Sequence, residues 1–172
     1  AAAAQGRGTS DDELETKKAL LFRAARIFDG GGRDKARAEQ MYASIVELDP
    51  QDDIALVALE EARKALGKYE ELVEMLLERS QSAPPGEERG RALAEIGRLY
   101  ASELDDADQA VVAFSQALCE SPTNDEYAAE IERLCGAKQQ AWSEQLETIG
   151  ETLKAATLAQ ADHVALMGRA AR

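Results

Sequence analysis

The sequence predicts an all-α protein built as a solenoid of antiparallel helix hairpins. Three observations lead to this fold class: the chain repeats itself with an offset of about 72 residues, its four prolines lie at the ends of helical runs, and aromatic residues make up only 5%. Helical repeat arrays stack thin cores between neighbouring units and therefore need few bulky side chains. A single large core for 172 residues would be poorly supplied by this composition.

The internal repeat is a series of matched positions that share one offset. Ala24–Phe28 aligns with Ile96–Tyr100, and three further pairs have the same spacing. These pairs are Ala38 with Ala110, Tyr42 with Phe114, and Pro50 with Pro122. Arg169–Arg172 resembles Arg23–Arg26, which predicts that a further copy begins near the end of the chain. We therefore expect the chain to be a fragment of a longer array.

The first helix is expected to begin at Ser10–Glu13, which has the form of a capping box, and to end near Phe28. In such a box the serine hydroxyl and the glutamate carboxylate satisfy the first free amides of the helix. Residues 1–12 are expected to be a flexible segment or residues added to the natural chain. Gly30–Gly32 indicates a turn between helices, since the Gly-Lys-Ser/Thr of a phosphate-binding loop does not follow it.

Proline and glycine divide the rest of the chain into further helices. The dividing residues are Pro50, Gly67, Pro84–Pro85 and Pro122. The predicted helices are about 34–48, 53–66, 68–81, 87–103, 107–120, 125–135, 139–156 and from 162 onward. Gly67 suits a left-handed C-cap, and N-caps are predicted at Asp105 or Asp106 and at Thr123–Glu126. Because turns of a few residues join them, consecutive helices should be antiparallel neighbours.

Large, small and aromatic residues recur at set positions of these helix pairs. The clearest set is Leu93, Ile96, Gly97, Tyr100, Ala110, Phe114, Ala117 and Pro122. This order of residue types resembles the tetratricopeptide repeat, a helix–turn–helix unit of about 34 residues. The resemblance covers about residues 13–172. Its repeats would span about 18–52, 53–86, 90–124 and 125–160, with a partial one at 162–172.

The resemblance has a steric basis. Small residues such as Gly97 and Ala110 should let two helix backbones approach closely, while aromatic residues such as Phe114 fill the space between hairpins. The fourth repeat departs most from the family, because Cys135 stands where an aromatic residue belongs. The resemblance implies a right-handed solenoid, with a concave groove lined by the first helices and a role in binding proteins or peptides.

A row of arginines along that groove is the candidate binding site. The groove-facing position of each first helix carries arginine in every repeat except the second, where Glu61 stands. The candidate groove residues are Phe22, Arg26, Glu61, Ala94, Arg98, Arg133 and Arg172. Arginine offers carboxylates a planar, bidentate set of donors, so an acidic peptide is the expected partner. Alternatively, neighbouring glutamates such as Glu95 and Glu130 pair with these arginines and leave a neutral groove.

Charge and motif content weigh against several other functions. A net charge of -13 argues against binding to nucleic acid or anionic membranes, which need a positive surface. No apolar run approaches the length of a membrane span. The cluster Asp105–Asp108 lacks the alternating ligands of a calcium loop, and no catalytic, cofactor or metal site is predicted. Two cysteines, Cys119 and Cys135, are expected to be free thiols, which fits a reducing compartment such as the cytoplasm.

The sequence therefore predicts a non-enzymatic scaffold that binds a peptide or a partner helix. The alternative is a structural spacer of a larger multidomain protein, with its charges paired internally and no tight ligand. Self-association is a third reading, because the last helix would present an apolar stripe at Val164–Met167 that a following repeat could cover.

Overall fold

The computed structural model describes residues 2–30, 34–136, 139–155 and 160–170, and within these ranges the chain forms helices and turns without strands. Side chains are described from Asp12 onward, except those of 139–142, 144 and 155. The helices are α1 (Ala2–Asp29), α2 (Lys35–Leu48), α3 (Asp53–Leu66), α4 (Tyr69–Ser82), α5 (Glu87–Ser102), α6 (Ala107–Glu120), α7 (Asp125–Cys135), α8 (Gln139–Ala155) and α9 (Gln160–Ala170). The chain divides into two compact units, unit 1 (Ala1–Lys68) and unit 2 (Tyr69–Arg172).

The helices agree closely with the predicted ones, and the clear exception is the first N-terminus. α3, α6 and α7 have the predicted bounds. Gly67 ends α3 with φ 68° and ψ 23°, which confirms the left-handed cap. α1 begins at Ala2, so Ser10 lies inside the helix and the predicted capping box is wrong. The boundary between the two units falls inside the predicted repeat at 53–86, and a continuous solenoid stays a prediction.

The 72-residue repeat is also a repeat of helix boundaries. α2 and α6 differ by 72 at both ends, and α3 and α7 begin 72 residues apart. The N-caps follow the same offset, with Asp34 matching Asp106 and Asp52 matching Asn124. Each accepts a hydrogen bond from the amide three residues later, at 3.0 to 3.3 Å. Repeated caps therefore set the helix starts, and the cap predicted at Thr123 is wrong because Asn124 fills that role.

Unit 1 has a thin core whose two ends are held by ion pairs. α2 packs against both α1 and α3, and most of the buried side chains are small. The buried apolar residues are Ala25, Ala38, Ile45, Ala55 and Leu59. At one end, Glu39 of α2 is 4% exposed and accepts hydrogen bonds from Arg63 Nε at 3.3 Å and Lys68 Nζ at 3.0 Å. Ionic contacts thus supplement an apolar core that has few large side chains.

At the other end, Lys18 of α1 holds the turn between α2 and α3. Its Nζ lies 2.7 Å from Asp49 Oδ2 and 2.8 Å from Asp52 Oδ2, and the residue is 9% exposed. The hydrogen bond to Asp49, and then that to Asp52, raises the pKa of Lys18. The same contact lowers the pKa of Asp49. Burial opposes ionisation of Asp52, but the hydrogen bond and charge of Lys18 together with the backbone amides of Ala55 and Ile54 outweigh it, so the pKa of Asp52 is also lowered.

This cluster should make the stability of unit 1 depend on pH. The lowered carboxyl pKa values of Asp49 and Asp52 contribute stability that is present above the unfolded value of about 3.9 and is lost as the pH falls through the folded values. The raised pKa of Lys18 contributes stability that is present below about 10.4 and is lost as the pH rises through its folded value. We expect Lys18→Met to be less stable than wild type at neutral pH, and the difference to shrink below about pH 4.

Urea unfolding followed by circular dichroism, repeated across this pH range, measures that difference. Lys17→Met is the matched control, since Lys17 is exposed and has no ion pair among the described residues. A difference between wild type and Lys18→Met that stays constant from neutral pH to below about 4 would contradict the ionic account.

Unit 2 is built around two well-covered helices. α5 packs against α4 and α6, and α6 also contacts α7 and α8. Phe114 of α6 has no exposed surface, and an added Cβ at Gly97 of α5 would lie 2.8 Å from two atoms of its ring. Gly97 therefore leaves room for the ring of Phe114 on the facing helix, and the close approach of the two backbones at this position stays a prediction. Cys119 and Cys135 are free and buried, as expected.

The last helix is covered more than the sequence indicated. Leu166 is fully buried against Cys119 and Ile149, so the expected apolar stripe is interrupted. Val164 and Met167 remain 63% and 54% exposed. The reason is that α9 packs on α8. Leu166 faces the core as a result, whereas Val164 and Met167 stay exposed to solvent.

Candidate functional site

Two of the predicted groove residues lie one turn apart on α1. The ring of Phe22 is half-buried, and its centroid lies 6.4 Å from that of Tyr42 on α2, tilted by 60°. Arg26 is exposed, and the structure records no ion pair for it among the described side chains. The guanidinium of Arg26 thus retains its donors for a ligand.

The third predicted residue, Glu61, lies on α3 beside two exposed apolar side chains. Ile54 and Val57 precede it at spacings that place all three on one helix face. Ile54 is 73% exposed and Val57 is 57% exposed. We call Phe22, Arg26, Ile54, Val57 and Glu61 the α1–α3 face.

Tyr42 connects the two helices of this face. Burial raises the pKa of Tyr42, the carboxylates of Asp29 and Glu61 raise it further, and Arg26 lowers it, so charges from α1 and α3 both act on its hydroxyl. A pocket of about 210 Å³ opens here, lined by Tyr42, by Asp29, Lys35 and Glu61, and by four alanines of α2 and α3. The face therefore contains apolar surface, both signs of charge and a concavity.

The arginines of unit 2 have different surroundings. Arg98 Nη2 lies 2.7 Å from Glu126 Oε1, and Nη1 lies 3.2 Å from Glu95 Oε2. The hydrogen bond that Arg98 donates to Glu126 is the main cause that raises the pKa of Arg98. Arg133 donates to Glu130 Oε2 from Nε at 3.0 Å and from Nη2 at 2.7 Å. Neighbouring carboxylates thus occupy both guanidinium groups, as the alternative interpretation of the sequence expected.

The two remaining candidates do not add to the site. Ala94 has no exposed surface, because α5 is covered by both α4 and α6, and its side chain therefore does not face a partner. Arg172 lies outside the described residues. The structure thus brings together Phe22, Arg26 and Glu61 and leaves the other predicted groove residues paired, buried or undescribed.

The net charge is unevenly divided between the units. Unit 1 contains 11 basic and 13 acidic residues, for a net charge of -2, whereas unit 2 contains 9 and 20, for a net charge of -11. An acidic ligand is repelled much more strongly by unit 2 than by unit 1. The open arginine, Arg26, lies in the unit of low net charge.

Other kinds of site receive no support from the part of the chain that the structure describes. No group of three or more histidine, cysteine, aspartate or glutamate side chains is arranged there to hold a metal ion. None of the described helices is long and apolar enough to cross a membrane. No protein-family model matches this chain, and no curated protein is significantly similar to it in sequence.

Proposed function

We propose that this protein is a tetratricopeptide-like interaction module that binds an amphipathic, acidic segment of another protein on the α1–α3 face. Apolar side chains of the segment pack on Ile54 and Val57, and a carboxylate pairs with Arg26. Surfaces that bind proteins typically combine exposed apolar residues with arginine.

One observation carries this proposal: Arg26 is open, while the equivalent arginines of unit 2 are engaged. Arg98 and Arg133 would have to give up glutamate partners at 2.7 Å before they could bind a ligand. Arg26 makes no such exchange, and Ile54 and Val57, which share a face of α3 with Glu61, already expose apolar surface to water. Binding there removes apolar area from water and adds a charge-assisted hydrogen bond.

A second candidate function is that of a structural spacer without a tight ligand. The pairing of Arg98 with Glu95 and Glu126, and of Arg133 with Glu130, favours this function for unit 2. The two functions differ in whether substitutions on the α1–α3 face affect any binding event.

The test selects peptides from a displayed random library against the whole chain and measures their affinity by fluorescence anisotropy. We expect the selected peptides to combine apolar and acidic residues. Arg26→Glu should weaken their binding by at least about tenfold, which corresponds to roughly 1.4 kcal/mol. Val57→Asp should weaken it as well, since it places a charge on the apolar part of the face.

Arg133→Glu is the matched control, because it makes the same charge reversal at an arginine that Glu130 already engages. We expect it to leave the affinity within about twofold of wild type. Binding that survives Arg26→Glu and is lost in Arg133→Glu would move the site to unit 2. Failure to select any peptide with micromolar affinity would favour the spacer.

A further inference from the structure

A cavity of about 250 Å³ lies in unit 2 among α6, α7, α8 and α9. Most of its wall is apolar. The apolar lining residues are Leu118, Ala128, Ile131, Leu146, Ile149 and Ala170. Several of them, such as Ile131 and Ile149 at 2% exposure each, belong to the buried core, so the cavity reaches into the interior of the unit.

One buried amide lines this apolar wall. Gln145 of α8 is 4% exposed, and its Oε1 lies 3.0 Å from Ser115 Oγ, which also lies 2.6 Å from Val111 O. Within the described part of the chain, Gln145 Nε2 has no hydrogen-bond partner. No fully enclosed side-chain nitrogen or oxygen described there lacks a partner. The Nε2 group therefore borders open space, and the space that Gln145 lines is the cavity.

Two charged residues, Arg169 and Glu132, also line the cavity. Arg169 of α9 donates hydrogen bonds from Nε to Pro122 O at 3.1 Å and from Nη2 to Asp125 Oδ1 at 2.6 Å. These bonds hold its side chain against the start of α7. Glu132 is exposed. Its carboxylate, together with the net charge of unit 2, disfavours an anionic ligand.

We propose that this cavity binds a small, neutral and largely apolar molecule with one carbonyl-type acceptor, which pairs with Gln145 Nε2. An engineered apolar cavity of about 150 Å³ holds benzene, and drug-sized sites begin at roughly 300 Å³. A volume of about 250 Å³ thus suits a single substituted ring. Cavities that result only from incomplete packing are lined by apolar groups, whereas this one contains a buried donor whose desolvation a ligand acceptor offsets.

Acetophenone is the probe, since it combines a ring with one neutral acceptor. Ethylbenzene, which lacks the acceptor, and benzoate, which is charged, serve as comparison ligands. Binding is followed by the methyl resonances of Leu118, Ile131 and Ile149 in the intact chain. We expect acetophenone to shift these resonances saturably at millimolar concentration or below, with weaker effects from ethylbenzene and the weakest from benzoate.

Gln145→Met keeps the length of the side chain and removes the donor. This variant should bind acetophenone about tenfold more weakly and bind ethylbenzene as wild type does. Unchanged binding of ethylbenzene also shows that the variant is folded. Ala128→Leu, which fills part of the cavity, should abolish binding of both.

Three results would overturn the proposal. They are methyl shifts that do not saturate, equal affinity of wild type and Gln145→Met for acetophenone, and acetophenone binding that Ala128→Leu leaves intact. Because the cavity lies wholly in unit 2 and the α1–α3 face in unit 1, neither test depends on the outcome of the other.

Discussion

Replacing Phe114 by alanine is expected to lower the free energy of unfolding of unit 2 by about 3–5 kcal/mol. The ring has no exposed surface and packs against Gly97 of the neighbouring helix. Its removal loses the transfer free energy of the ring and leaves a cavity that the surrounding helices fill only in part. Urea unfolding at neutral pH measures the change. Val112→Ala on the same helix is the control, because Val112 is 45% exposed and its loss should cost less than about 1 kcal/mol.

The contact between Phe114 and Gly97 leads to a second prediction, which concerns the effect of Gly97→Ala on stability. Alanine favours a helix over glycine by up to about 1 kcal/mol. Even so, Gly97→Ala should destabilise the wild-type protein, because its Cβ would lie 2.8 Å from Cδ2 and Cε2 of Phe114. In the Phe114→Ala background the obstacle is gone, and the same substitution should be neutral or stabilising. A double-mutant cycle tests this, and an effect of the same sign in both backgrounds would contradict the contact.

The helices could be predicted because local signals in this sequence agree with one another. Prolines, the left-handed Gly67 and acidic N-caps such as Asp106 act within a few residues, so their effect can be inferred without knowledge of the tertiary structure. The 72-residue offset adds a check, since it relates both ends of α2 to those of α6 and the start of α3 to that of α7. The first helix departs from this agreement, because the Ser-x-x-Glu spacing of a capping box can also occur inside a continuous helix, and Ser10 lies within α1.

The site was predictable only in part, because pairing depends on distances that the sequence does not contain. Arg26 and Arg98 occupy equivalent positions, yet Glu126, 28 residues away, engages only the second. Ile54 and Val57 were missed as site residues, although their spacing to Glu61 indicated one helix face. Gln145 gave no signal, since its environment comes from three other helices.

Replacing Glu39 by alanine is expected to lower the free energy of unfolding of unit 1 by about 2–3 kcal/mol. The carboxylate of Glu39 is almost fully buried. It contacts Arg63 of α3 and Lys68, which follows the C-cap of α3. Its loss leaves the guanidinium of Arg63, whose side chain is 17% exposed, without this partner in a region of low solvent access. Lys68 is 38% exposed and is partly solvated by water, which limits the effect. Glu47→Ala on the exposed side of α2 should change stability by less than about 0.5 kcal/mol.

A triple variant distinguishes two reasons why Glu39→Ala would lower the free energy of unfolding. If the penalty comes from cations that lose the carboxylate of Glu39, then Glu39→Leu combined with Arg63→Met and Lys68→Met should be more stable than Glu39→Ala, although it lacks both ion pairs of Glu39. If the carboxylate itself supplies the stability, then the triple variant should be no more stable than Glu39→Ala. We expect the first result, because small apolar residues dominate the core of unit 1 and methionine and leucine would enlarge it. Urea unfolding of the three proteins side by side decides between the two, with Glu39→Gln as the variant that keeps the volume and removes the charge.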